Sequence, residues 1–340
     1  MKTKKKALLI GGAVVLVTAC VAVYSLFFSS CYKISETVYV YVDDDDTNDS
    51  IRSKIETAAQ PSCLWGYSIL ETLKPMTVHP GRYAVSPKEG QLATYRKLAS
   101  GNQSPVNLTI PSVRTVDKLA GVLGRKLMVD STAICEALQD SAFCATLSYD
   151  TATIMALFIP NTYQVYWNIS LEDLMKRMQK ENAAFWKTDG RAELAQKLGL
   201  TPNEVITIAS IVEEETANNA EKPMVAGMYI NRLKQEMPLQ ADPTIKYALK
   251  DFSLRRIYHK HLTIDSPYNT YKNVGLPPGP IRIPTVASID AVLHRVDHDY
   301  LYMCAKEDFS GTHNFARTYE EHLQNAQKYT DALNKRNIKF

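Results

Sequence analysis

The apolar positions between residues 201 and 216 predict an amphipathic helix. Four side chains recur at the spacing of one helix face: Val205, Ile208, Ile211 and Val212. The segment also opens with a signal for a helix start. Thr201 can cap the free backbone amides, Pro202 suits the first helical position, and Glu204 stands where the acid of a capping box belongs. The sequence therefore predicts a helix that begins near residue 201 and buries one face.

The same helix carries one acidic side chain on its apolar face. At about 100° per residue, Glu215 projects within roughly 20° of Ile208, whereas Glu213 and Glu214 fall on the flanks. A carboxyl group packed into a semi-apolar pocket has a raised pKa, which suits a general acid at neutral pH. The alternative is that Glu215 lies at the helix end and simply reaches solvent or a lysine.

A second apolar segment, residues 7–28, contains no charged side chain. A helix of that length crosses the hydrocarbon core of a bilayer, which is about 30 Å thick. Lysines precede it, so the positive-inside rule predicts a cytoplasmic tail at residues 1–6 and an extracytoplasmic remainder. Two alternatives stay open. One is a cleaved signal peptide, which needs a shorter apolar region. The other is lipidation at Cys20, because Val17-Thr-Ala-Cys20 resembles a lipoprotein processing site.

Beyond the anchor, strand-like and helix-like periodicities alternate, which predicts an α+β fold. Residues 35–42 alternate as a strand and end at the acidic run 43–46. No loop of spaced ligands follows this run, so a calcium site is not expected. The pattern then predicts helices at 91–99, 115–127 and 130–147, with a strand at 106–110. Farther on, it predicts a broken strand at 158–166 and amphipathic helices at 170–186 and 221–234.

Composition narrows the classes of function. The formal net charge is +3, and the lysines before the anchor account for it. The remainder lacks the clustered Lys and Arg that phosphate backbones require, so nucleic acid is not expected as the main partner. Cys135 and Cys144 would close a disulfide in an oxidising compartment. His294 and His298 have the spacing of helical metal ligands, yet no third ligand is evident, and no metal is expected.

Loops rich in Pro, Gly, Asn and Tyr dominate after residue 233. Such loops are stiff and hold side chains in place. They carry amide, carboxylate and aromatic groups that suit sugar recognition: Gln240, Asp242, Tyr268, Asn269 and Tyr271. The alternative is that each of these residues ties loops together.

Six segments in order resemble the signature segments of MltG-type (YceG-like) endolytic murein transglycosylases. They are Ile208-Ala-Ser-Ile-Val-Glu-Glu-Glu-Thr216, Ile230-Asn-Arg-Leu233, Leu239-Gln-Ala-Asp-Pro-Thr244, Tyr268-Asn-Thr-Tyr271, Gly275-Leu-Pro-Pro-Gly279 and His313-Asn-Phe315. The resemblance is strong from about residue 200 onward. Upstream it continues more weakly, in Pro80-Gly-Arg-Tyr83 and Phe158-Ile-Pro-Asn-Thr-Tyr163.

The resemblance implies a single-pass protein of the bacterial inner (cytoplasmic) membrane. It implies a LysM-like module with connecting helices at residues 35–147 and a catalytic domain at 150–340. The expected partners are peptidoglycan strands, the membrane and cell-wall synthases. The implied activity cleaves the MurNAc-β-1,4-GlcNAc bond inside nascent strands and leaves 1,6-anhydro ends without a cofactor, in a step that would terminate strand elongation.

The family's V-E-x-E-T pattern assigns catalysis to Glu215, the residue that the helical face selects independently. One carboxyl group suffices, because the sugar's own 6-hydroxyl attacks the anomeric carbon and no carboxylate nucleophile is needed. Glu214 stands where relatives often carry Lys or Arg, and its charge would raise the pKa of Glu215 further. Glu213 and Asp242 are expected as helpers, and His313 would line the cleft or serve a structural role.

Two other functions remain open at this stage. A non-catalytic scaffold would hold glycan with the LysM-like region and join a cell-wall synthesis complex through the membrane helix. An ordinary hydrolase would pair Glu215 with Asp242 and release reducing ends.

Overall fold

The computed structural model describes residues 2–336. The chain forms two compact units. The first contains the chain up to Leu108, together with 126–129 and 164–169, and the second contains 109–125, 130–163 and the chain from Ser170 onward. The fold is mixed α+β with an apolar helix near its N-terminus.

That helix, α1 (Lys2–Phe27), is apolar and long enough to cross a membrane between Leu8 and Phe27. Its side chains from Leu8 to Tyr24 are exposed, and its hydrophobicity is spread evenly around the axis. A helix that is apolar all round and uncovered by its own protein is consistent with a single-pass membrane anchor.

In the first unit, a two-stranded antiparallel sheet packs against helices. Its elements are β1 (Val38–Val42), α2 (Asn48–Ala59), α3 (Trp65–Leu73), β2 (Gly81–Val85), α4 (Gln91–Ala99) and β3 (Val106–Thr109), which ends at the unit's boundary. Val40 pairs with Tyr83, and both are buried. Tyr39 and Tyr41, on either side of Val40, are exposed, as the two-residue period of a strand requires.

The second unit is mainly helical. Its elements are α5 (Val116–Gly124), α6 (Ser131–Gln139), α7 (Ser141–Thr146), β4 (Thr162–Val165, which passes into the first unit), α8 (Leu171–Lys187), α9 (Arg191–Leu198), α10 (Pro202–Glu215), α11 (Lys222–Lys234), α12 (Asp242–Leu249), α13 (His259–Leu262), α14 (Val286–Leu293), β5 (Tyr302–Ala305), β6 (His313–Ala316) and α15 (Tyr319–Lys335). The core surrounds α10, which buries every side chain from Val205 to Val212.

Most predicted elements are confirmed within a few residues, and one is wrong. The predicted helix at 130–147 is two helices, because Asp140 adopts an extended conformation and its side chain accepts a hydrogen bond from the Ala142 amide at 2.9 Å. Asp140 thus ends α6 and caps α7, which is the local competition that Asp offers to a continuous helix. All six cysteines are free thiols, so Cys135 and Cys144 are not joined.

Candidate active site

A cavity of about 240 Å³ opens in the second unit beside the C-terminal end of α10. Side chains from α10, α11, α12, β5 and β6 line it, together with the loops that connect them. They are Glu215, Met228, Tyr229, Arg232, Leu239, Gln240, Asp242, Tyr271, Met303, Cys304, Ala305 and His313. Five of the side chains expected at the site therefore meet here.

The helix α10 fixes the position of Glu215, its last residue. The predicted capping box is present: Thr201 Oγ1 accepts the Glu204 amide, and the Glu204 carboxylate accepts the Thr201 amide at 2.7 Å. The sequence predicted one buried face, but α10 is buried on all sides from Val205 to Val212, and close packing around it holds the helix in place. The end of a helix held in this way presents its carboxyl group at a defined position in the cavity.

Protein atoms surround the Glu215 carboxyl, although the cavity leaves the residue partly accessible to solvent. Burial raises the pKa of Glu215 to about 7. Two smaller effects oppose each other: the Tyr229 hydroxyl donates a hydrogen bond to Oε1 at 2.6 Å and lowers the pKa, and the charge of Asp242 raises it. His313 and Lys246 also lower it. A carboxyl group that titrates near neutrality can act as both acid and base.

The neighbouring Glu213 lies outside the cavity lining and has a structural environment. Its Oε2 accepts hydrogen bonds from the Thr285 and Ser288 hydroxyls and lies 3.2 Å from the ammonium of Lys222, which is 3 % exposed. These bonds outweigh burial and hold the pKa of Glu213 below its usual range. Glu213 was expected to assist the substrate, but it joins α10 to α11 and α14.

The expectation for Glu214 is also corrected. Arg114 and Arg282 bond its carboxylate at 2.6 and 2.8 Å, so its negative charge is neutralised locally. Glu214 is not among the principal groups that shift the pKa of Glu215; the acid that does so is Asp242. Sequence adjacency misled here, because side chains one residue apart on a helix point about 100° apart.

Asp242 begins α12, and Pro243 follows it at a position that suits the first turn. Its Oδ1 accepts a hydrogen bond from the Tyr271 hydroxyl at 2.6 Å, and both residues line the cavity. Gln240 lies beside them, with its side-chain oxygen 3.3 Å from Arg232 Nη1. Three of the five loop residues that were expected to bind sugar are therefore at the cavity.

The other two loop residues do not line the cavity. Asn269 is fully buried and donates its amide hydrogens to the Leu262 and Ile264 carbonyls, so it ties its own loop together. Tyr268 packs against Tyr247 with ring centroids 4.7 Å apart and ring planes tilted by 49°. The loop also needs Gly279, because a Cβ there would collide with the Ala152 carbonyl. Tyr268 and Asn269 thus hold loops together, which was the alternative interpretation of the sequence.

His313 lines the cavity from β6, and a buried carboxylate holds it. Glu221 accepts the His313 backbone amide at 2.6 Å and lies 2.9 Å from its Nδ1. Glu221, Tyr229 and Arg232 were not singled out from the sequence. A signal for Tyr229 existed, since it follows Val225 by four residues in the predicted helix at 221–234, and the structure buries both residues. Nothing in the spacing of Glu221 connects it to a strand 92 residues away.

Comparisons with known proteins match the part of the chain that contains this cavity. The profile of the YceG-like family matches residues 40–328. The chain belongs to the YceG-like family. A Bacillus subtilis protein named endolytic murein transglycosylase is 33 % identical over 260 residues, which cover 72 % of this chain and 71 % of that protein. A protein of the same name from Streptococcus pneumoniae is 30 % identical over 68 % of this chain and 46 % of its own length.

A solved structure of a YceG-like protein is also similar. The crystal structure of a yceG-like protein from Listeria monocytogenes superposes with a TM-score of 0.57 at 26 % identity, and the match covers 86 % of this chain and 99 % of that one. The family match includes the cavity and, from residue 40 onward, the β1–β2 sheet of the first unit.

Proposed function

We propose that this YceG-like protein is an endolytic peptidoglycan lytic transglycosylase with Glu215 as its catalytic acid. The observation that carries the residue assignment is the Glu215 carboxyl, which lies in the cavity with a pKa of about 7. The reaction follows from family membership and from the relatives named endolytic murein transglycosylase. A non-catalytic scaffold is not favoured, because a pure binding protein gains nothing from desolvating an acid.

In the reaction, the Glu215 carboxyl donates one proton and later accepts one. Protonated Glu215 donates to the glycosidic oxygen as the bond from the anomeric carbon of N-acetylmuramic acid breaks. The 6-hydroxyl of the same sugar then bonds to that carbon and returns a proton to the Glu215 carboxylate. No water is consumed, and the acid is regenerated for the next cleavage. The product carries a 1,6-anhydro end.

Other polar groups at the cavity are proposed to bind the glycan. Gln240, Asp242, Tyr271 and His313 present amide, carboxylate, hydroxyl and imidazole groups to it. Tyr271 holds the Asp242 carboxylate through its 2.6 Å hydrogen bond, which limits the directions from which a sugar group can bond to it. Asp242→Asn is accordingly expected to lower activity without abolishing it.

We also propose the membrane placement. The apolar α1 is the single-pass anchor in the inner membrane, and the chain that follows it lies on the extracytoplasmic side, where peptidoglycan is made. The strand–helix–helix–strand order of β1, α2, α3 and β2 supports a small LysM-like glycan-binding module in the first unit. Cleavage of nascent strands beside cell-wall synthases would then terminate their elongation.

The decisive experiment incubates the detergent-solubilised full chain with purified peptidoglycan strands beside Glu215→Gln, and reads the fragments by mass spectrometry. Wild type is expected to release fragments with 1,6-anhydro ends, which are lighter by one water than hydrolytic products. Glu215→Gln removes only the ionisable proton, so it should keep the thermal unfolding of wild type at acidic pH and lose activity by at least about 100-fold.

Two results would contradict the proposal. Fragments with reducing ends would show an ordinary hydrolase that uses Glu215 with Asp242. Wild-type activity in Glu215→Gln would reject the assignment of the acid.

A further inference from the structure

Arg232 is a buried cation with no carboxylate partner among residues 2–336. Its side chain projects from α11 to the cavity and is 6 % exposed. The other two buried or half-buried arginines near α10 differ, since Arg191 bonds Asp290 and Arg282 bonds Glu214. Within residues 2–336, Arg232 forms no ion pair, and burial lowers the pKa of its guanidinium. A buried charge without a counter-charge is costly to a fold, and a ligand with an acceptor oxygen would lower that cost.

Backbone carbonyls occupy one side of the guanidinium. Nε donates to the Leu301 carbonyl at 2.6 Å, and Nη1 donates to the Pro238 and Leu239 carbonyls at 3.1 and 2.9 Å. These bonds fix the plane of the group. Nη2 has no acceptor among the described residues, although it is not sealed from solvent. Two N–H donors of a fixed guanidinium are therefore available at the cavity.

The acids at the cavity do not cancel this charge. Glu215 is uncharged in the form that donates its proton, and the Asp242 carboxylate is bonded by Tyr271. The remaining groups nearest Arg232 are the phenols of Tyr229, Tyr271 and Tyr302. The cavity thus offers a positive, geometrically fixed donor at the moment when substrate binds.

We infer that Arg232 is a specificity-determining residue whose Nη2 binds an oxygen of the 3-O-lactyl group on N-acetylmuramic acid. This rests on the proposed function. Both sugars of the strand carry N-acetyl groups, and only muramic acid carries the lactyl ether, which ends in a carboxylate when the peptide stem is absent and in an amide carbonyl when it is present. Either oxygen accepts a charge-assisted hydrogen bond from a guanidinium.

The first test needs no change at Arg232. In the inactive Glu215→Gln full chain, affinity is measured for three ligands of equal length: stemless strands, stem-bearing strands and chitooligosaccharides, which lack the lactyl group. A hydrogen bond to a charged donor predicts that stemless strands bind about tenfold or more tightly than chitooligosaccharides. The stem-bearing arm tells which oxygen Arg232 binds: equal affinity indicates the carbonyl, and weaker affinity indicates the carboxylate.

The second test adds Arg232→Lys and, as the matched control, Arg191→Lys, which alters a buried arginine outside the cavity. Arg232→Lys should reduce the preference for muramoyl ligands to threefold or less. In a further variant, Arg232→Ala, added millimolar guanidinium should restore part of that preference. In active enzyme, the change should raise KM for peptidoglycan more than it lowers kcat. Arg191→Lys should keep the wild-type preference.

Several outcomes would overturn the inference. One is equal affinity of the Glu215→Gln protein for stemless strands and chitooligosaccharides, which is decisive even where Arg232 variants fail to fold. Another is a muramoyl preference that persists in folded Arg232→Lys. If one of these outcomes occurs and wild type still releases anhydro-ended fragments, only the proposed role of Arg232 is rejected. If neither cleavage nor glycan binding occurs, the proposed function falls as well.

Discussion

Glu213, Glu214 and Glu215 are adjacent in sequence, and each meets different chemistry. Glu213 receives two hydroxyl donors and the Lys222 ammonium, and Glu214 receives two guanidinium groups. Among the described residues, Glu215 accepts a side-chain hydrogen bond only from the phenol of Tyr229, and it faces the cavity. Because no cation bonds the Glu215 carboxyl directly, burial favours its protonated form. The structure thereby distinguishes the acid from its two neighbours.

The first prediction concerns the alkaline limb of the pH–activity profile. The proton donor must be protonated, so activity should fall as pH rises through about 7, the pKa of Glu215. Tyr229→Phe removes a hydrogen bond that lowers this pKa, so the limb should move to higher pH. Asp242→Asn removes a charge that raises it, so the limb should move to lower pH. The measurement is kcat against pH for all three proteins.

Opposite directions in the two variants are the specific expectation. Tyr268→Phe serves as the control, because Tyr268 packs against Tyr247 outside the cavity lining, and this substitution should leave the limb unchanged. A shift of the same sign in Tyr229→Phe and Asp242→Asn would mean that another group governs the limb.

At the residue scale, the sequence could identify Glu215 because helical periodicity is a local property. It could not identify the partner of each glutamate. Arg114 lies 100 residues before Glu214, and Glu221 meets His313 only because β6 returns to the start of α11. Long-range contacts of this kind depend on the tertiary fold, which explains why Glu213, Tyr268 and Asn269 were expected at the site and lie elsewhere.

At the scale of elements, the Glu213–Lys222 pair joins α10 to α11, and the hydroxyl donors of Thr285 and Ser288 extend it to α14. We predict that Glu213→Gln destabilises the fold by about 3–5 kcal/mol, because it leaves the Lys222 ammonium buried without a counter-charge. Denaturant unfolding at pH 7 measures this. Glu213→Gln combined with Lys222→Met should recover most of the loss, since no buried charge then remains.

The pH dependence of this pair has a definite sign. The pKa of Glu213 is lowered in the folded state, so its stabilising contribution is present above the unfolded value near 4.5 and is lost as pH falls through the folded one. The difference in stability between wild type and Glu213→Gln should therefore shrink in acid. A difference that stays constant from pH 7 to pH 3 would contradict the proposed ion pair.

The elements themselves were largely predictable where their signals are local. The helix at 91–99 begins and ends as expected, and the capping box of α10 forms from the residues that indicated it. The break at Asp140 was missed because an apolar stripe continues across it. A side chain that bonds the next amides outweighs that stripe at a single residue. Periodicity reports which face is buried, and it does not report where the backbone turns.

At the scale of the whole molecule, the acid at the site lowers stability. The pKa of Glu215 is raised from 4.5 to about 7, so the folded protein holds a proton that the unfolded chain releases over this interval. Stability from this group is complete below about pH 4.5 and declines until pH passes about 7. We predict that Glu215→Gln gains about 2 kcal/mol over wild type between pH 5 and pH 8, as measured by chemical denaturation.

The pH dependence distinguishes this effect from a general change in packing. Replacement of a carboxyl by an amide of the same shape should leave both proteins equally stable well below pH 4.5, where Glu215 is protonated in both the folded and the unfolded state. A stability difference that is independent of pH would mean that Glu215 is not desolvated in the folded protein.

The orientation of the chain in the membrane gives the last prediction. Cys63 is exposed and follows the anchor, whereas Lys5 precedes the apolar span that begins at Leu8. If the lysine-rich end stays in the cytoplasm, a membrane-impermeant maleimide should label Cys63 in intact protoplasts when the other five cysteines are alanine. Lys5→Cys, in a chain without other cysteines, should be labelled only after permeabilisation. Labelling of Lys5→Cys but not of Cys63 in intact protoplasts would place the Glu215 cavity on the side of the membrane opposite to its proposed substrate, because both Cys63 and Glu215 follow the one apolar span found between residues 2 and 336.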